Sequence, residues 1–250
     1  MVVPGLAVWL VPHRAAGCLI ESFSAWADAD ERARAARFAR DCDRAAYAIS
    51  HAALRLVLGA ATEQPPASVR YARRPGGKPV LAGEAPSAAF SLSHTRGATL
   101  IALTGRPSIG ADIETTAALD AERTLGVVAG VEEAARLRAE TPPGQLAAAV
   151  LRLWVIKEAA LKLDGIGLAL DPRRIVAEAG ASGIITVRAV AGLANFAPSL
   201  VRVLDLGSGF AAAIALPVGC RSLDAQFRFG LGQGGSGAYG SPRAQPRDRR

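Results

Sequence analysis

Apolar and polar positions along the chain run through the same order twice, helices first and short strands afterwards. The chain opens on an apolar run, and Gly5 to Val11 predicts a first core strand. Asp28 to about Leu58 is rich in Ala, Arg and Leu and predicts helix, with a break near Asp41–Asp43. Gly59 and Pro65-Pro66 end it, and Arg70 to Leu81 reads as a loop carrying Pro-Gly-Gly-Lys-Pro. Three short apolar runs follow: Ala89–Ser93, Thr99–Thr104 and Ser108–Glu114. Thr95-Arg96-Gly97 and Gly105-Arg106-Pro107 separate them, a pattern that predicts a meander of antiparallel strands.

The second round begins with a helix over Val131–Glu140, broken at Thr141-Pro-Pro-Gly144, and a longer helix over Gln145–Leu163. Strand candidates follow at Arg174–Ala177, Gly183–Val190, Leu200–Leu206 and Phe210–Leu216. The doubled order predicts an α+β fold of two similar halves in one chain. Each half packs helices on an antiparallel sheet, and the pair is related as a pseudo-twofold joined near Thr115–Gly126. The expected division is an N-terminal half over 1–118, a C-terminal half over 119–229, and a disordered basic tail over 230–250. The tail is set off by Gly-Gln-Gly-Gly-Ser-Gly and a terminal Arg/Pro segment.

Composition narrows the class. Half of the 250 residues are hydrophobic and 20% are charged, enough apolar material for a folded core. Net charge is +7, but five arginines from Arg228 onward stand against Asp248 alone, a local +4 that leaves +3 for the rest. A mildly basic body suits an acidic protein or an anionic cofactor, and no arginine-rich helix with interleaved aromatics marks a nucleic-acid binder. Cys18, Cys42 and Cys220 are odd in number and scattered, with no CxxC, so neither disulfides nor zinc is expected. The N-terminus lacks the basic start of a signal peptide, and no apolar run reaches the length of a membrane span. The expectation is a cytoplasmic protein with neither a nucleic-acid nor a membrane partner.

Four groups of residues carry candidate chemistry. In Ile109-Gly-Ala-Asp-Ile-Glu114, a strand puts Asp112 and Glu114 on one face, where their mutual repulsion becomes favourable if a hard cation such as Mg²⁺ sits between them. In Trp154-Val-Ile-Lys-Glu-Ala-Ala-Leu-Lys162, Trp154, Glu158 and Lys162 share a helical face. Glu158 could be a third carboxylate, and Lys162 could meet a phosphate. Phe90-Ser-Leu-Ser-His94 ends a strand on a histidine suited to an anion. Gly76-Gly-Lys-Pro79 presents one lysine from a flexible loop that lacks Walker spacing. Arg34, Arg37 and Arg55 add basic groups. Taken singly, each has a structural alternative: a solvated strand end, a surface ion pair, a structural histidine, solvated arginines.

The order GKP, F-x-x-SH, IG-x-D-x-E, W-x-x-KEA-x-x-K closely resembles the 4′-phosphopantetheinyl transferases, in their larger surfactin-synthetase type, over roughly Arg34 to Leu170. The resemblance implies a pseudo-dimeric monomer that moves 4′-phosphopantetheine from coenzyme A to a serine of an apo acyl or peptidyl carrier protein, releasing adenosine 3′,5′-bisphosphate. It implies Asp112, Glu114 and Glu158 as Mg²⁺ ligands, Lys162 at the pyrophosphate, and Ser93 and His94 as the coenzyme-binding pair. Lys78 and Arg55 are implied near the adenine and 3′-phosphate, with Arg34 a further basic contact. Glu158, Lys162 and His94 would then be the catalytic set. Ser91 stands where the family usually has Asn, and Ala111 replaces a larger aliphatic. Two rivals share some of these residues. A non-catalytic coenzyme A or carrier-protein binding module has no use for three carboxylates plus Lys162. A magnesium phosphohydrolase would need no carrier.

Overall fold

The computed structural model describes residues 5–74, 76–83, 88–115, 119–180, 183–190, 193, 196–207, 209–219 and 226–229. Strand β1 (Ala7–Pro12) leads into helices α1 (Leu19–Trp26), α2 (Ala29–Ala36) and α3 (Asp41–Thr62). A small hairpin, β2 (Tyr71–Arg73) and β3 (Pro79–Leu81), precedes β4 (Ala89–Thr95), β5 (Ala98–Thr104) and β6 (Gly110–Thr115). Then come α4 (Ala121–Val128), α5 (Val131–Glu140) and α6 (Leu146–Asp164). Strands β7 (Ile175–Ala179), β8 (Ile184–Ala189), β9 (Ser199–Leu204), β10 (Phe210–Pro217) and β11 (Gln226–Phe229) complete an α+β fold.

The strands form two larger sheets, ordered β11-β1-β5-β4 and β6-β10-β9-β8-β7. They lie face to face between helical layers, and strand alternation shows how. On β5, Ala98, Leu100 and Ala102 point at the second sheet, while Ile101 and Leu103 point at α1 and α3. On β10, Ala212, Ile214 and Leu216 enter the inter-sheet layer, while Ala213 and Ala215 pack under α6. A strand covered on both faces has no polar side, which is why β5 is buried at every residue. α6 is also apolar nearly all round, because the second sheet, α4 and α5 enclose it.

Several elements depart from the sequence expectation. The Pro-Gly-Gly-Lys-Pro segment is flanked by β2 and β3, three-residue strands too short for a period to show. α4 occupies much of the stretch read as a connector. β6 is not the third strand of a meander with β4 and β5: it pairs antiparallel with β10, Asp112 opposite Ala213. β11 pairs parallel with β1, Val8 opposite Phe227, so each sheet takes an edge strand from the far part of the chain. α3 has the length and apolarity of a membrane span, but its apolar side chains build the first core with Phe23, Phe90 and Ile101. The tail read as disordered from residue 230 lies outside the described residues.

Candidate active site

The site forms where β4, β6 and α6 meet. Gly110, Asp112 and Glu114 share the face of β6 that looks toward α6, and the helix crosses at Gly110. A Cβ on Gly110 would stand 1.9 Å from the Ala159 carbonyl oxygen and 2.5 Å from the Leu163 nitrogen, so this motif glycine is a contact requirement. The crossing brings Glu158 and Lys162 beside Asp112. Lys162 Nζ donates to Asp112 Oδ1 at 2.5 Å and to Ser93 Oγ at 2.9 Å.

From the other side β4 supplies a row of hydroxyls at alternate positions. Ser91 Oγ accepts from the Ala111 N–H at 2.9 Å, Ser93 Oγ donates to Asp112 Oδ1 at 2.7 Å, and Thr95 Oγ1 donates to Glu114 Oε2 at 2.9 Å. β4 and β6 belong to different sheets, so these side-chain bonds do the joining that a ladder would otherwise do. The sequence pattern puts Thr95 in the turn, whereas it ends β4 and joins the site; its i+2 spacing from Ser93 is the signal that points to it.

The resulting cleft of about 320 Å³ is lined by Leu92, Ser93, His94, Asp112, Glu114, Trp154, Glu158 and Lys162. Burial, then repulsion from Asp112 and Glu114, pushes the Glu158 carboxyl up to about 7 against the pull of Lys162. Glu114 is also raised, chiefly by burial. His94 stands at the rim. Desolvation there, together with the charges of His51, His13, Lys162 and Arg34, holds it down at about 4, so it is neutral near pH 7 in the free protein. His13 and His51 therefore share the surroundings of His94. His51 Nδ1 lies 2.8 Å from Glu31 Oε1, and its ring stacks on Tyr47.

Among the described residues, no three His, Cys, Asp or Glu side chains are drawn tightly enough to cage a metal ion as they stand. Asp112, Glu114 and Glu158 nevertheless line one cleft, with Lys162 seated on Asp112. The donor chemistry still fits a hard divalent cation. Asp112 Oδ2 and Glu158 Oε1 are buried without a hydrogen-bond partner, an arrangement costly for carboxylates unless a cation can reach them.

Residues 108–215 match the family model described as the 4′-phosphopantetheinyl transferase superfamily. The chain is also similar to the 4′-phosphopantetheinyl transferase HetI of Nostoc sp. (strain PCC 7120 / SAG 25.82 / UTEX 2576). The two are 27% identical over 164 residues, 65% of this chain and 69% of HetI.

Two residues expected at the coenzyme lie elsewhere. The Arg55 side chain is fully buried on α3, with every nitrogen engaged. It bonds Glu31 Oε2 at 2.7 Å, Asp28 Oδ2 at 3.0 Å and the carbonyls of Pro66 and Val69, and its guanidinium lies over the Tyr71 ring. It braces α2 and the following loop against α3 and has no donor left for a phosphate. The Lys78 ammonium is held by Ser108, Ile109 and Leu163, and Lys78 does not line the cleft. Arg34 is exposed on α2, close enough to act on His94. Lys157, the lysine of the KE pair, is buried on the helix side away from the cleft. It bonds Glu133, the Val128 carbonyl at 2.8 Å and the Pro172 carbonyl at 3.0 Å.

Proposed function

We propose that this transferase moves the 4′-phosphopantetheine group from coenzyme A to a serine of an apo carrier protein, with Mg²⁺ held by Asp112, Glu114 and Glu158. The observation that carries the reading is the junction of β4, β6 and α6. One cleft there collects three carboxylates, one lysine and the Ser93-His94 pair, in a chain whose family transfers this group. When bound, Mg²⁺ supplies positive charge against the pyrophosphate and the leaving phosphate.

The protein's own groups do the rest. Lys162 is partly exposed and can turn from Asp112 toward a phosphate oxygen, where its charge is worth most in a partly buried cleft. His94 and Arg34 hold the anionic end of the coenzyme at the rim. His94 acts there as a neutral hydrogen-bonding group until an anion beside it raises its basicity. Glu158 takes the proton of the incoming serine, directly or through water. Mg²⁺ beside Glu158 favours its ionised form, the form that can accept a proton. The serine oxygen–phosphorus bond forms as the bond to adenosine 3′,5′-bisphosphate breaks. The nucleophile belongs to the partner, which accounts for a site built of carboxylates and cations. We infer further that the larger, pseudo-dimeric type describes the chain and that it acts as a cytoplasmic monomer.

The test is to incubate the protein with coenzyme A, Mg²⁺ and an apo carrier protein and to weigh the carrier. A gain of one phosphopantetheine, absent when chelator is added, supports the reading. Coenzyme A breakdown without carrier modification would replace it with a phosphohydrolase, and binding without either with a binding module.

A further inference from the structure

The Gly-Gly-Lys-Pro loop is fastened to the active-site elements from behind. The Lys78 ammonium donates to Ser108 Oγ at 3.0 Å, to the Ile109 carbonyl at 2.7 Å and to the Leu163 carbonyl at 3.0 Å. An ammonium has three protons, so all of them are in use. Ser108 closes the triangle by donating to the same Leu163 carbonyl at 2.8 Å. Leu163 lies in the last turn of α6, where carbonyls lack partners within the helix and a cation is favoured. The loop backbone presses on the same helix end. A Cβ on Gly76 would stand 2.0 Å from the Gly165 carbonyl oxygen, and Gly165 is the left-handed cap of α6 with φ of 84°. The elements joined here are the two that carry the site: Leu163 follows Lys162 on α6, and Ile109 leads into the strand bearing Asp112 and Glu114.

We propose that Lys78 is a positioning residue, tying the end of α6 to the start of β6 so that Glu158 and Lys162 stay opposed to Asp112 and Glu114. It does not touch coenzyme A. The proposal rests on the functional reading above, because the pairing it maintains is that of the cation-binding carboxylates.

Lys78→Met, which keeps the stem and removes the ammonium, tests it together with the milder Ser108→Ala. Three quantities are followed: transfer kinetics with Mg²⁺, coenzyme A binding by calorimetry, and Mn²⁺ binding by electron paramagnetic resonance. The expected result for Lys78→Met is a kcat lower by about tenfold or more and Mn²⁺ affinity weakened several-fold, with the coenzyme A Kd within about twofold of wild type. Ser108→Ala should move kcat and Mn²⁺ binding the same way by less, and the double variant should fall short of the sum of the two effects. A coenzyme A Kd raised about tenfold with kcat and Mn²⁺ binding intact would overturn the proposal in favour of a ligand contact. Three unchanged quantities would also overturn it. Should Lys78→Met fail to fold, Ser108→Ala decides: wild-type kcat and Mn²⁺ affinity in that variant count against the proposal. A wild-type protein that binds both ligands yet transfers nothing would overturn the functional reading alone, and the binding measurements would still decide the role of Lys78.

Discussion

Two lysines on one helix, Lys157 and Lys162, are put to opposite uses. Lys157 is enclosed between α4, α5 and the turn at Pro172, and each of its protons has a protein acceptor. Its carboxylate partner Glu133 is equally settled, since it also accepts from the Ala177 N–H at 3.1 Å. Lys162 is 29% exposed and sits on Asp112 and Ser93, beside carboxylate oxygens that have no hydrogen-bond partner among the described residues. The contrast recurs in the first half, where Arg55 with Asp28 and Glu31 is saturated and buried. Charge and motif membership do not separate a brace from a working group; unmet bonding capacity does. A saturated buried pair has no reason to bind anything, whereas a cluster with unpartnered oxygens is held in a state that a ligand improves.

The largest effect expected on the Lys162 side is on chemistry. Asp112→Ala and Glu158→Ala should each lower transfer by about a hundredfold or more, with melting temperature close to wild type. More than about a tenth of wild-type activity at saturating Mg²⁺ would sink the assignment. On the Lys157 side the large effect is on stability. Lys157→Ala leaves Glu133 buried without its partner and should cost about 3–5 kcal/mol in urea unfolding. The double variant Lys157→Met with Glu133→Leu should recover most of that loss. A double variant no more stable than the single one would mean that the carbonyl bonds, and not the ion pair, hold this corner.

A third prediction concerns protons. The raised Glu158 carboxyl, near 7, is largely protonated at pH 6 before any cation arrives. A divalent cation favours the ionised form, so Mg²⁺ binding at pH 6 should release a proton. The release should shrink as pH rises past about 7, where the carboxyl has already ionised. Calorimetry in buffers of different ionisation enthalpy measures it, and Glu158→Gln should abolish it. Proton release unaffected by that substitution would move the raised carboxyl to Glu114. The smallest effect belongs to the rim. Arg34→Ala should raise the KM for coenzyme A a few-fold at low salt and much less at high salt, because an exposed charge is screened. A loss that persists undiminished at high salt would place Arg34 in a closer, sheltered contact.

Much of this was legible in the chain itself. α5 spans the expected Val131–Glu140, and α6 begins and ends one residue later than its apolar run. Local periodicity decides such elements. The cleft residues were legible too, since the i+2 spacing of Asp112 and Glu114 and the i+4 spacing of Trp154, Glu158 and Lys162 fix which side chains share a face. What escaped depends on partners remote in sequence. Nothing near β6 says that its hydrogen bonds go to β10, and nothing near Lys78 announces the Leu163 carbonyl that claims its ammonium. Arg55 was open to a better reading. It lies among Ala52, Ala53, Leu54, Val57 and Leu58, surroundings in which a guanidinium must find carboxylates, and Asp28 at the cap and Glu31 in the first turn of α2 supply them.

The pairing of β6 with β10 also bears on how the enzyme is made. During synthesis Asp112 and Glu114 leave the ribosome long before Phe210–Pro217, the segment that supplies their hydrogen-bonded neighbour. The first sheet is in the same position, with β1 emerging early and its edge partner β11 near the end. No nascent fragment short of β10 can therefore hold the carboxylates in place, and the late strands make both sheets slow, non-local constructions. A ribosome stalled anywhere before β10 therefore displays Asp112 and Glu114 on a strand that still lacks its hydrogen-bonded neighbour.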